Sequence, residues 1–209
     1  MIPFLARTLP DVDVTTADDG LARCAWVGHD PEYLRYHDEE WGRPLHGDRP
    51  LFEKITLEAF QSGLSWITIL RRRPGFRAAF ADFDPAIVAA FGDDDVARLM
   101  ADTGIIRNRA KIDATIANAA ALTSLIEAEG DGALDRLVWS FAPATRPETD
   151  RPRSLGDLAP NTTESTALSK ELKKRGFRFF GPTTAYALMQ SGGLVDDHLA
   201  GCFRAASAS

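Results

Sequence analysis

The chain has 209 residues, 44% hydrophobic and 26% charged, which is enough for one buried core and too long for a disulfide-stapled miniprotein. No apolar run approaches the roughly 18 residues of a membrane span, and the first ten residues mix Pro3, Arg7 and Pro10 without the apolar stretch of a secretory signal, so the expected location is cytoplasmic. The 24 Lys and Arg against 30 Asp and Glu leave a net charge of −6, the wrong sign for general attraction to phosphate, so any nucleic-acid role needs a local basic face.

Residues 1–20 hold Pro3, Pro10 and the acids Asp11, Asp13, Asp18 and Asp19 without a helical period. They read as a loosely attached, flexible extension before a domain over 21–204, with 205–209 as a tail. From Asp48 onward the apolar positions recur at helical spacing: Leu51, Phe52, Ile55 and Ala59, then Ile87, Val88, Phe91 and Val96, then Ile112, Ile116, Ala119 and Leu122. Pro85 after Asp84 marks a helix start, Gly104 and Gly130 mark stops, and no alternation of apolar and polar residues lasts long enough for a sheet. The expected fold class is all-α. Pro143, Pro147, Pro152 and Pro160 make 142–160 a long loop, and a capped helix starts among Thr162 to Ser165 and stops at Gly176.

Three groups of residues suggest chemistry. Cys24 and Cys202 are the two cysteines; His198 lies four residues before Cys202, on one face if that segment is helical, and Cys24 with His37 forms the comparable pair near the other end. Two thiolates and two imidazoles complete a tetrahedral zinc with no open position, which would be structural and would clip the chain ends together. The plainer reading is two small core cysteines and two ordinary histidines, since the interval from Cys24 to His37 is no standard zinc-finger spacing. His29 and His46 have no such partners and read as surface residues.

The second group is the run Lys173-Lys174-Arg175-Gly176-Phe177-Arg178-Phe179-Phe180-Gly181-Pro182-Thr183-Thr184, which reads as helix, hairpin, helix. Exposed N–H groups at the second helix start, with local basic charge, suit a DNA phosphate. A solvated basic turn packed by Phe177 and Phe179 is the alternative. The third group centres on Glu58, about 20° around the helical wheel from Leu51 and so at the edge of the apolar stripe. Gly63-Leu64-Ser65-Trp66 follows it, and Tyr33 and Tyr36 lie beside His37. Aromatic faces with one carboxylate suit a flat, electron-poor or cationic base. A rim salt bridge for Glu58 and a core place for Trp66 are the alternative.

Taken together, Arg23-Cys24-Ala25-Trp26-Val27, Tyr36-His37-Asp38, Glu40-Trp41-Gly42, Gly63-Leu64-Ser65-Trp66-Ile67, Gly104-Ile105-Ile106-Arg107 and Lys173-Lys174-Arg175-Gly176-Phe177 resemble the DNA-3-methyladenine glycosylase I family, over roughly residues 22–203. The resemblance implies a monofunctional helix-hairpin-helix glycosylase of base-excision repair that flips 3-methyladenine out of double-stranded alkylated DNA, releases it as the free base and leaves an abasic site. It implies one structural zinc on Cys24, His37, His198 and Cys202, a base-contacting Glu58, and pocket walls from Tyr36 and Trp66, with Tyr33 nearby. Leu64 is the candidate plug for the emptied stack. With Gly63, Lys174, Arg175, Gly176, Gly181 and Thr183 it makes up the expected DNA contacts. The family often has Asn at the position of Asp196 and often lacks the extension; capping a following helix is the plain role for Asp196 or Asp197. The expected state is a monomer. The alternative function is a non-catalytic, zinc-containing helix-hairpin-helix protein that binds DNA or modified bases; a zinc hydrolase is disfavoured because four ligands leave no site for activated water.

Overall fold

Nine α-helices form in residues 13–144 and 150–205, the parts of the chain that the computed structural model describes. Helix α1 (Pro31–Glu39) begins where the Asp30 side chain accepts from the Glu32 and Tyr33 N–H groups, with Pro at its first turn. Helices α2 (Asp48–Gln61) and α3 (Trp66–Ala79) follow. The Asp84–Pro85 signal opens α4 (Pro85–Ala89), and α5 (Asp93–Ala101) precedes α6 (Arg109–Glu129), which Asn108 caps and Gly130 ends. After α7 (Ala133–Trp139), a Thr162/Ser165 capping box opens α8 (Thr163–Lys174), and Pro182 opens α9 (Pro182–Ser191).

Helix α2 runs through the centre and packs against α3, α6, α7 and α9. Every residue from Leu51 to Phe60 except Glu53 is buried, so the helix has no solvent face on which Glu58 could rest. Leu51, Phe52, Ile55, Leu57 and Phe60 belong to the main apolar core, and their burial from water is what holds α2 in place.

Two expectations about the start of the chain need correction. Val14–Thr16 (β1) and Ala22–Cys24 (β2) pair antiparallel, Val14 opposite Cys24, so the fold carries a small sheet. Three residues per strand are too few to display alternation. Residues 13–20 are therefore held by backbone pairing and are not loosely attached; the flexible extension expected over 1–12 and the tail expected over 206–209 lie outside the described residues.

A second apolar cluster joins the two ends of the fold: Cys24 and Val27 pack with Leu199, Cys202 and Ala205, flanked by Trp26, Tyr33, Leu34 and Phe203. The Phe203 N–H donates to the Ala22 carbonyl at 2.8 Å. No helix of the described residues is long and apolar enough to cross a membrane.

Candidate functional site

Glu58 is 5% exposed, and its Oε1 accepts a hydrogen bond from Ser191 Oγ at 3.0 Å. It borders a cavity of about 280 Å3 lined by Trp26, Tyr33, Tyr36, Trp41, Trp66, Gln190 and Ser191, among others. Burial pushes the carboxyl up to about 7, against the pull of the Lys54 charge and the Ser191 hydrogen bond. Among the described residues no salt bridge holds Glu58 at a rim; its place is inside. Tyr36 and Trp66 lie 5.5 Å apart between centroids, and Tyr33 lies 6.5 Å from Tyr36, so the three expected aromatics converge with Glu58 on one cavity.

Sequence reasoning missed Lys54, one turn before Glu58. Its Nζ lies 5.1 Å from the Tyr36 ring centroid, 5.2 Å from that of Trp66 and 3.4 Å from the Tyr36 hydroxyl. It faces a neighbouring cavity that also holds Glu40, Glu53, Arg73 and Arg77. Burial lowers its affinity for a proton, while Glu58 and Glu40 oppose that loss. The i, i+4 spacing of Lys54 and Glu58 was the available signal. Trp26 and Trp41, present in the quoted motifs but given no role, were missed as pocket walls.

Trp26 and Trp41 also join the cavity to the Cys/His cluster: Trp26 lies 5.1 Å from Tyr33 and 5.4 Å from His37, and Trp41 lies 4.6 Å from His198. The ligand atoms of Cys24, His37 and Cys202 all lie within 4.8 Å of one another, and the His198 ring is 5.2 Å from that of His37. Residues 198–202 form no helix, so His198 and Cys202 do not share a helical face; a turn through Gly201 separates them, and Cys202 joins the close set while His198 stays beside it. Asp196 and Asp197 cap no helix: Asp196 accepts from His198 Nδ1 at 2.8 Å, and Asp197 accepts from Tyr186 and Gln190. Asp38 likewise holds His37 Nδ1 at 2.8 Å. Both imidazoles are thus oriented by a carboxylate on one nitrogen, the arrangement of metal-ligating histidines. His198 Nε2 is buried without a hydrogen-bond partner among the described residues, and Gly42, at φ +75°, passes so close that a Cβ would meet His198 Cε1 at 2.5 Å. The hydrogen bond between the cysteines raises the Cys24 thiol and holds Cys202 down to about 4. Two buried cysteine sulfurs and an orphaned imidazole nitrogen fit a soft divalent cation.

On the opposite flank of Glu58, Gly63 at φ +85° turns the chain between α2 and α3 and leaves Leu64 38% exposed. The Leu64 N–H donates to the Gln61 carbonyl, and Gln61 Nε2 donates back to the Leu64 carbonyl, each at 2.6 Å. Lys111 donates to the carbonyls of Phe60 and Ser62 at 2.9 and 2.8 Å, neutralising the end of α2 where the loop starts. Lys111→Met is expected to lower stability by about 2 kcal/mol through the loss of these charged hydrogen bonds, as read by urea unfolding.

The basic hairpin connects α8 to α9. Lys173, Lys174, Gly176, Arg178 and Thr183 are exposed, and Gly176 has φ +98°. Lys170, Lys173, Arg178 and Gly181 line one concavity there. Arg175 does not face outward as a free cation: its guanidinium is paired with Glu171 and Glu129.

Residues 26–205 match the family model described as methyladenine glycosylase. A DNA-3-methyladenine glycosylase 1 of Escherichia coli (strain K12) is 49% identical over 182 residues, covering 87% of this chain and 96% of its own. A DNA-3-methyladenine glycosylase of Haemophilus influenzae is 48% identical over 180 residues, covering 86% and 96%. A crystal structure of 3-methyladenine DNA glycosylase I matches with a TM-score of 0.80 at 49% identity, covering 87% of this chain and 98% of that one. A Staphylococcus aureus structure described as the basis of 3-methyladenine recognition matches with a TM-score of 0.79 at 35% identity, covering 87% and 95%.

Proposed function

Because the chain belongs to the methyladenine glycosylase family, we propose that it hydrolyses the N-glycosidic bond of 3-methyladenine in duplex DNA, in base-excision repair. The observation that carries this reading is a buried carboxylate, Glu58, at the wall of an aromatic cavity of about 280 Å3. That volume, at the small end of ligand pockets, admits one flat heteroaromatic base. A duplex base reaches it only by leaving the stack.

Methylation at N3 puts positive charge on the base and makes it a good leaving group, so the pocket has little protonation to supply. Its task is selection. Tyr33, Tyr36 and Trp66 offer π-faces to a cation, and ionised Glu58 accepts from the exocyclic amine while complementing the charge. Neutral adenine gains less from both. Leu64, exposed on its Gly63 turn, is the side chain placed to fill the emptied stack. Incubation of the protein with methylated duplex DNA and chromatography of the released bases tests the reading; no release of 3-methyladenine overturns it.

The helix-hairpin-helix element α8–α9 serves as the phosphate clamp in this reading. Lys173 and Arg178 flank its concavity, whereas Arg175 is occupied by two carboxylates. Lys173→Ala/Arg178→Ala is expected to flatten the dependence of log K on log salt by about 2, near 0.9 per lost phosphate contact. Arg175→Ala should change that slope less. A salt titration of duplex binding measures both.

The Cys24, His37, His198 and Cys202 set would hold one structural zinc, supported by the buried, partnerless His198 Nε2 and by the Asp38 and Asp196 carboxylates behind the imidazoles. When bound, such an ion cross-links the ends of the fold and supplies no reacting group. The chain's own part is to orient two imidazoles and keep the site dry beneath Trp26, Trp41 and Phe203.

A further inference from the structure

The family match begins at residue 26, so β1 and Asp13 lie ahead of it. Asp13 nevertheless reaches two walls of the base pocket. Its carbonyl accepts from the Ala25 N–H at 2.9 Å, and Ala25 precedes the pocket residue Trp26. Its own N–H donates to the Arg153 carbonyl at 2.9 Å, and its Oδ2 accepts from the Leu155 N–H at 3.1 Å. Leu155 and Leu158 line the same pocket, on the segment that follows residue 150.

That segment combines local bonds with two anchors to the residues after α9. Asp157 Oδ2 accepts from the Arg153 and Ser154 N–H groups, each at 2.8 Å, and the Pro152 carbonyl accepts from the Ala200 N–H at 2.8 Å. Arg151 adds an ion pair to Asp196 at 2.8 Å, and Asp13 is the residue that bonds both Leu155 itself and Ala25, the neighbour of Trp26. Leu155 is 44% exposed although it is apolar, which leaves an aliphatic surface at the pocket mouth for a planar ligand to cover.

Building on the proposed glycosylase function, we infer that Asp13 is a positioning residue that staples Leu155 to the Trp26 wall, so that the segment ahead of the family match helps to retain and select the flipped base. Leu155 and Leu158 add the aliphatic part of a lining that is otherwise largely aromatic, and the staple ties that part to the Trp26 wall. Displacement of Leu155 opens the pocket mouth to water. The cost of losing the staple falls on base binding, because the phosphate contacts lie on other elements.

The test is the affinity of the full chain for free 3-methyladenine, read from quenching of the pocket tryptophans, beside its affinity for a duplex carrying an abasic-site analogue. Asp13→Ala is expected to weaken base binding about fivefold, the equivalent of one hydrogen bond, and to leave the abasic duplex affinity unchanged. Leu155→Ala, at a half-exposed position that carries no core, should weaken it to a similar extent. The double variant should lose no more than the larger single loss, because the staple acts through Leu155. Asp13→Asn keeps an acceptor oxygen and should restore wild-type binding. Wild-type base affinity in Asp13→Ala, or additive losses in the double variant, overturns the inference while leaving the pocket assignment intact. A wild-type protein that neither binds nor excises 3-methyladenine overturns the pocket assignment and this inference with it.

Discussion

Glu58→Gln is expected to fold, to bind undamaged duplex as the wild type does and to excise 3-methyladenine roughly a hundredfold more slowly, the scale of losing one preorganised electrostatic partner. The amide keeps the shape and the contact with Ser191 but removes the charge. The carboxyl is raised from 4.5 to about 7 by burial, so in the wild type kcat/KM should fall as pH drops through about 7, where Glu58 takes up a proton. Stability moves the other way. Between those two values the folded protein holds a proton that the unfolded chain has lost, so this group costs stability as pH rises from 4.5 through about 7. The shift corresponds to about 3 kcal/mol, and Glu58→Gln should be the more stable protein by up to that amount at pH 8, with the gap closing below pH 4.5. Denaturant unfolding at both ends of the window and single-turnover excision across it provide the measurements. Wild-type excision by Glu58→Gln, or a variant less stable than wild type at pH 8, would assign Glu58 to the fold and not to the base.

Cys24→Ser/Cys202→Ser is expected to remove zinc and with it several kcal/mol of stability, since metal binding to a site that exists only in the folded chain is folding free energy. Elemental analysis of metal-replete wild type should give one zinc per chain. The variant should melt earlier, and chelator treatment of the wild type should reproduce the shift. A stoichiometric absence of zinc from replete protein, or unchanged melting in the variant, would return the four side chains to the role of ordinary core. Base affinity should fall alongside stability, because Trp26 and Trp41 pack against both the cluster and the cavity.

The helices were legible where a local signal declares itself: Asp84 before Pro85, Gly130 at the end of α6, Thr162 with Ser165 before α8. The convergence of Glu58, Tyr33, Tyr36 and Trp66 followed from resemblance more than from periodicity, which placed Glu58 on a rim that α2 does not possess. What could not be read was non-local. The β1–β2 pair is too short to alternate, and Arg175 is turned inward by Glu129, 46 residues away. Cys202 reaches Cys24 through a turn at Gly201, not through a helix, and Lys54 gains its meaning only when α2 meets the Tyr36 and Trp66 rings.

The cluster that joins residues 24–27 to 199–205 has a consequence for how the protein is made. During synthesis residues 24–27 emerge well before their partners Leu199, Cys202 and Phe203, with all nine α-helices of the described residues in between. Until they do, Trp26 and Trp41 lack their packing against His198 and its neighbours, while the helices around α2 can already condense. A nascent chain therefore completes its main core once α9 has emerged and finishes its base pocket only after residues 199–203 have followed. Chains that stop before residue 199 should be largely helical yet unable to hold a base, a form of quality control written into the order of the polypeptide.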